Sequence, residues 1–197
     1  MAQDSLSPEV VEPLLRGRFG RPYRYFERCD STQRELPADA PEGAVAVAEE
    51  QTAGRGRLGR RWHAPARTSV LVSINLRPKV RPPQLPELSV VAGLAAAEAI
   101  AAVAGVRPDV RFPNDLLLDG RKVAGILAEA RDDRVVLGIG INVNVAEDDL
   151  PADVDTPATS LLIETGRPVD RPRLLAALLE QLEERYDTWI SGAAGEG

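Results

Sequence analysis

Between Gln51 and Trp62 the chain reads Gln51-Thr52-Ala53-Gly54-Arg55-Gly56-Arg57-Leu58-Gly59-Arg60-Arg61-Trp62, three glycines set among four arginines in a protein of net charge -6. Glycine lets backbone N–H groups turn inward and approach a ligand closely, forming an anion-binding concavity. The guanidinium groups add permanently charged, forked donors that match carboxylate and phosphate oxygens. Trp62 supplies a flat apolar face of the kind that covers a purine ring. The chemistry available is the capture of a small anion beneath a loop that orders as the anion arrives. The run occurs once, which separates it from repetitive arginine-glycine RNA-binding segments.

Three further groups of residues can do chemistry. Cys29-Asp30-Ser31-Thr32-Gln33 follows an aromatic strand and is expected to open a helix whose free N–H groups hold the polar end of a small molecule. Lys122 begins a strand just ahead of Gly125, which leaves room for its ammonium to reach a pocket lined by Ile126 and neighbouring strands; there it would attract a carboxylate or phosphate more strongly as water is excluded. Gly138-Ile139-Gly140-Ile141-Asn142 places two glycines at spacing two, exposing one strand face to something bulky. A third glycine and a following helix are missing, so this is not a dinucleotide fingerprint. His63 is read as a loop residue beside Trp62, since one histidine cannot make a metal site.

The elements that must position these groups follow from periodicity. Residues 1–6 are expected to be a loose tail, and Ser7-Pro8-Glu9 starts a short helix through Leu15. Strands are expected over Arg21–Arg28, Ala44–Ala48 and Val70–Leu76, the last with Val70, Val72, Ile74 and Leu76 alternating against Leu71, Ser73 and Asn75. Glu87–Val103 has small or apolar residues on nearly every side and reads as a helix buried against a sheet, with Gly93 permitting close approach. A meander follows: Asp109–Phe112, Leu116–Leu118, Lys122–Ala130 and Val135–Val145, with Asp119-Gly120 as a two-residue hairpin turn. Ala146–Pro157 is expected to be a mobile acidic connector. Thr159-Ser160 begins a helical turn ending near Gly166, and Asp170 caps a final helix with a stripe of Leu174, Leu178, Leu182 and Trp189. A flexible tail is expected from Ser191 to Gly197. Hairpins of this kind imply an α+β fold with antiparallel pairing.

Length and composition bound the rest. The 197 residues suit one domain, and 44% hydrophobic with 27% charged residues is ordinary for a globular protein. A pI near 5.0 argues against nonspecific binding of nucleic acid or membrane by the whole chain. The single cysteine, Cys29, cannot form an internal disulfide, and no secretory signal is read at the N-terminus, so a cytoplasmic protein is expected. No run is expected to approach the 18 apolar residues of a membrane helix.

In combination, the Gly54–Trp62 loop, Pro113-Asn114-Asp115, Lys122-Val123-Ala124-Gly125-Ile126-Leu127 and Gly138–Asn142 resemble, in order and approximate spacing, the motifs of the biotin protein ligases, across about Phe26 to Val145. The resemblance implies a mixed, mostly antiparallel sheet flanked by helices, similar to class II aminoacyl-tRNA synthetases and lipoate ligases. Residues 1–20 would form a tail and short helix, 21–190 the catalytic domain and 191–197 a tail. By motif position Lys122, Arg55 and Arg57 would be catalytic. Biotin would be held by Ser31, Thr32, Gln33, Gln51, Gly54, Arg55, Gly56, Arg57, Lys122, Gly125, Leu127 and Gly138. ATP would be held by Arg57, Arg60, Trp62, Asn114, Lys122, Ile141 and Asn142. Biotin and ATP would be substrates, with Mg²⁺ assisting; its ligands stay open, Asp115 being a candidate. A biotin carboxyl carrier protein would supply the acceptor lysine, with no nucleic acid or membrane partner and a possible homodimer. Arg111-Phe112 stands where the family usually has Lys-Trp, so Arg111 is given no catalytic role. A DNA-binding segment before Phe26 is expected to be absent; the family's C-terminal SH3-like barrel is not in this sequence, either because the protein lacks it or because the sequence is truncated.

Overall fold

In the computed structural model, which describes residues 4–151 and 156–194, the alternation seen in the sequence becomes two faces of one sheet. Strands β1 (Tyr23–Phe26), β2 (Val45–Ala48), β3 (Ser69–Leu76), β4 (Asp109–Arg111), β5 (Asp115–Leu118), β6 (Arg121–Arg131) and β7 (Arg134–Asn142) form a seven-stranded sheet in the order β1-β2-β3-β7-β6-β5-β4. The β1–β2 pair is parallel and every other pairing antiparallel, so the mixed, mostly antiparallel α+β architecture is as expected.

Every residue of β2 and β3 is buried, the pattern of strands covered on both faces. One face carries Val45, Val47, Val70, Val72, Ile74, Leu137, Ile139 and Ile141 into the main core. Helices α2 (Glu87–Ala104) and α4 (Arg171–Ala194) cover it. On α2, a methyl at Gly93 would lie 2.9 Å from Val110, so the close approach expected of that glycine is real. Gly105 ends α2 at φ 79, its N–H bonded to the Ala101 carbonyl. By length and composition α2 and its leading turn are apolar enough to cross a membrane, which corrects the expectation that no segment is. Its apolar residues are instead spent on the core: Leu88, Ala92, Ala95, Ala96, Ala99 and Ile100 are fully buried.

Several local expectations need correction. The N-terminal tail is anchored from Asp4 onward, with Leu6 fully buried and its N–H donated to Glu49. The helix expected after Cys29 is one 3₁₀ turn, Thr32–Arg34, and neither Asp30 nor Ser31 caps it. The N-terminal helix is α1 (Pro8–Val11) followed by a 3₁₀ turn. α4 continues through Ala194, so the expected tail is helical at residues 191–194 and otherwise lies outside the described residues, as do residues 152–155 of the acidic connector. α3 (Leu161–Thr165) ends at Gly166 in the left-handed region, as read from the sequence.

Candidate active site

The sheet's other face holds the chemistry. Gly125 on β6 pairs directly with Gly140 on β7, and Leu127 with Gly138. These glycines accept the protein's own side chains: a methyl at Gly140 would lie 2.7 Å from Trp62 Cε2, one at Gly125 2.9 Å from Trp62 Cζ3, and one at Gly138 2.8 Å from Gln33 Nε2. The bulky group that the spacing of glycines announced is thus, in the first place, Trp62.

Trp62 is delivered by the arginine-glycine loop, which forms a small hairpin flap. Trp62 N–H donates to the Gly54 carbonyl at 3.0 Å and Gly56 N–H to that of Arg60 at 2.8 Å. The tip turns through Leu58 at φ 56 and Gly59 at φ 76. Behind it, the Ser31–Gln33 turn is fastened by Gln51, whose Oε1 accepts from the Thr32 N–H at 2.7 Å and the Thr32 hydroxyl at 3.1 Å. Thr32 Oγ1 also lies 2.8 Å from Ser73 Oγ on β3.

Lys122 reaches this face through a strand irregularity. Residues three apart on a regular strand point to opposite faces, but the β5–β6 register shifts at Leu116/Leu117. Lys122 Nζ consequently sits near Gly125, 2.7 Å from Asp115 Oδ1 and 5.7 Å from the centre of the Trp62 ring. Its backbone is clamped by the chain after the acidic connector: Lys122 N–H donates to Pro157 and Thr159 N–H to Lys122.

Between these walls lies a cavity of about 320 Å³. It is lined by Ser31, Thr32, Gln33, Gln51, Arg55, Gly56, Arg57, Arg60, Trp62, Asn114, Asp115, Lys122, Gly125, Leu127, Gly138 and Asn142, all singled out from the sequence. Two expected contributors are placed elsewhere. Gly54 is buried behind the flap, where a methyl would meet the Trp62 carbonyl oxygen at 2.4 Å, and Ile141 points into the helix-side core. His63, read only as a neighbour of Trp62, also lines the cavity.

The cavity's polar groups are incompletely satisfied. Ser31 Oγ, Gln33 Oε1, Trp62 Nε1 and Asn142 Oδ1 are buried without a hydrogen-bond partner among the described residues. Buried polar atoms are almost always paired, so four orphans around one cavity mark where a polar ligand completes the bonding. Cations surround it: Lys122; Arg57, whose Nη1 donates to Asn114 Oδ1 at 3.3 Å; and Arg55, paired with Glu129 at 2.9 Å. Burial pushes the Cys29 thiol up to about 12, so it is protonated at neutral pH and offers no thiolate nucleophile.

Sequence reasoning did not assign Ser73, Ala158 or Thr156 to the cavity. Ser73 had a usable signal, a hydroxyl on the polar side of an otherwise apolar alternating strand. Thr156 and Ala158 had none, because Thr156 is held by a hydrogen bond from Arg111 and Ala158 by its bridge to Lys122.

Fold and site together define an α+β domain with a polar-lined cavity between a cationic flap and an opposed lysine. A sequence model described as the Biotin/lipoate A/B protein ligase family matches residues 25–145, and the chain belongs to that family. It is 40% identical over 202 residues to a biotin–[acetyl-CoA-carboxylase] ligase of Mycobacterium tuberculosis, covering 95% of this chain and 74% of the relative. It is also 40% identical over 176 residues to the bifunctional ligase/repressor BirA of Bacillus spizizenii, covering 85% of this chain and 54% of that protein. It therefore spans about half the length of such relatives. Among solved structures, biotin protein ligase from Aquifex aeolicus in complex with biotin and ATP superposes with a TM-score of 0.78 at 34% identity, covering 85% of this chain and 71% of that one.

Proposed function

We propose that this protein activates biotin with ATP to biotinyl-5′-AMP and transfers the biotinyl group to a lysine of a biotin carboxyl carrier protein. The observation that carries this reading is a cavity with Lys122, Arg55 and Arg57 on its walls, four of whose lining residues each hold a buried polar atom without a partner among the described residues. A ureido ring offers both donors and acceptors for Ser31, Gln33 and neighbouring groups, and the cations suit a carboxylate meeting a triphosphate. Two anions must be brought together, so the main task is positioning and charge stabilisation.

In the first step a carboxylate oxygen of biotin attacks the α-phosphorus of ATP and the bond to the diphosphate leaving group breaks. Lys122 would stand beside the biotin carboxylate and the α-phosphate as they join, with Arg55 and Arg57 of the flap on the same cavity. No protein nucleophile is required. The flap shields the mixed anhydride from water until the acceptor amine attacks its acyl carbon, giving an amide, AMP and a proton. Among the described residues no cluster of three or more His, Cys, Asp or Glu side chains could hold a metal ion, and Asp115 is already paired with Lys122. Mg²⁺ would therefore enter on the triphosphate, neutralising its charge, with Asp115 the carboxylate that the cavity lining offers it.

The test is incubation with biotin, ATP and Mg²⁺ followed by mass spectrometry for retained biotinyl-adenylate, with pyrophosphate exchange measured in competition between biotin and lipoate. Retained adenylate and a preference for biotin are expected. Exchange driven by lipoate alone would move the assignment to a lipoate ligase, and an absence of ATP turnover would leave a binding protein.

A further inference from the structure

Glu129, on β6 just outside the cavity lining, meets one guanidinium on the flap and a second, that of Arg131, which reaches the Ser31–Gln33 turn. Its carboxylate lies 2.9 Å from Arg55 Nη1 on the flap and accepts from Arg131 Nη2 at 2.8 Å. Arg131 Nη1 donates in turn to the Gln33 carbonyl at 2.8 Å, and the Gln33 side-chain amide donates to the Leu127 carbonyl at 2.9 Å. A continuous polar chain thus runs from flap to Glu129 to Arg131 to the turn that carries Ser31, Thr32 and Gln33.

We infer that Glu129 is a positioning residue that ties the flap to this turn and so sets how long the activated intermediate is kept from water. The inference rests on the ligase reading of the cavity. Glu129 does not itself line the cavity, so its influence passes through Arg55 and Arg131. Removing its charge does more than delete an attraction, because two guanidinium groups are then left side by side with no negative charge between them. The flap's backbone pairing and the seating of Trp62 remain, so the flap is loosened without being released. Glu129 and its partners are 22% to 42% exposed, which keeps the effect moderate.

Glu129→Gln keeps the shape and removes the charge. Tryptic cleavage of the ligand-free protein at Arg57, Arg60 and Arg61 should become roughly fivefold faster, the size of effect expected from a partly exposed ion pair, with Tm changed by less than about 2 °C. In the presence of biotin and ATP, preformed adenylate should escape or hydrolyse roughly fivefold faster, while kcat for its formation stays within about twofold and KM for biotin rises. Glu129→Asp, which keeps the charge, should restore part of the retention. Unchanged cleavage and unchanged retention in a Glu129→Gln protein of normal Tm overturn the inference. An equal fall in kcat with KM unaltered also overturns it, since that places Glu129 in the chemical step. Wild-type protein that forms no adenylate removes the ligase reading, while the cleavage experiment still decides whether Glu129 holds the flap. Where Glu129→Gln lowers Tm further, Arg55→Gln breaks the same pair from the exposed side, and cleavage no faster than wild type in that variant overturns the inference.

Discussion

Glu49 and Gln51 stand two residues apart just beyond β2, yet they serve unlike purposes. Glu49 turns toward the helices and is 1% exposed; one oxygen accepts from the Leu6 N–H at 2.8 Å and the other from Arg171 Nη1 at 2.7 Å. Arg171, also 1% exposed, donates further to the Ser69 carbonyl and pairs with Asp4. This network is closed, and a closed network of buried charge fixes structure. Gln51 turns toward the cavity, fastens Thr32, and stands beside a Ser31 hydroxyl and a Gln33 side-chain amide oxygen, Oε1, that no group among the described residues satisfies. Burial alone does not separate these two groups of polar side chains; the Glu49–Arg171 pair completes its hydrogen bonds within the protein, and the Ser31–Gln33 turn does not.

The contrast can be broken by substitution. Glu49→Ala leaves a buried guanidinium with much of its compensation gone, and losing one partner of a buried pair costs about 3–5 kcal/mol. Calorimetry should show a fall in Tm of about 10 °C; an unchanged Tm would mean the network carries no stability. Lys122→Ala should invert the pattern, lowering adenylate formation about a hundredfold or more, as loss of one central charge-stabilising donor does, with Tm altered by no more than about 2 °C. Near-normal pyrophosphate exchange would remove Lys122 from the mechanism. Gly140→Ala probes the floor of the site: the added methyl meets the Trp62 ring, overpacking of this kind costs about 1–3 kcal/mol, and steady-state kinetics should show roughly a tenfold rise in KM for ATP. The smallest effect is expected at Arg18, an exposed partner of Glu183 and Asp187. Arg18→Ala should lower stability by about 1 kcal/mol or less in a denaturant titration, a reference for what surface charge is worth here.

Much of the site was legible because its residues work in short contiguous blocks. The flap, the Lys122 strand and the Gly138–Asn142 strand each announce themselves within a dozen positions, and hairpin chemistry at Asp119-Gly120, with φ of 47 and 77, fixes the meander locally. What escaped notice depends on distant partners. Asp4 to Leu6 read as a loose tail because Glu49 and Arg171 lie 43 and 167 residues away from their contacts. The segment around Thr159 gains its place only by pairing with Lys122. The glycines at 138 and 140 advertise space without saying what fills it, and half the answer, the Trp62 ring, comes from another part of the chain.

The strand order has a practical corollary. β1, β2 and β3 form one contiguous block of sequence, β4 to β7 another, and the two meet along the single β3–β7 ladder from Ser69↔Asn142 to Leu76↔Val135. The cavity straddles that seam, with Ser73 on one side and Gly138 on the other. Cutting the chain in the proline-rich stretch between Arg77 and Pro86 would divide it into two fragments, each with only part of the pocket, and recovery of ligand binding on mixing would report their reunion.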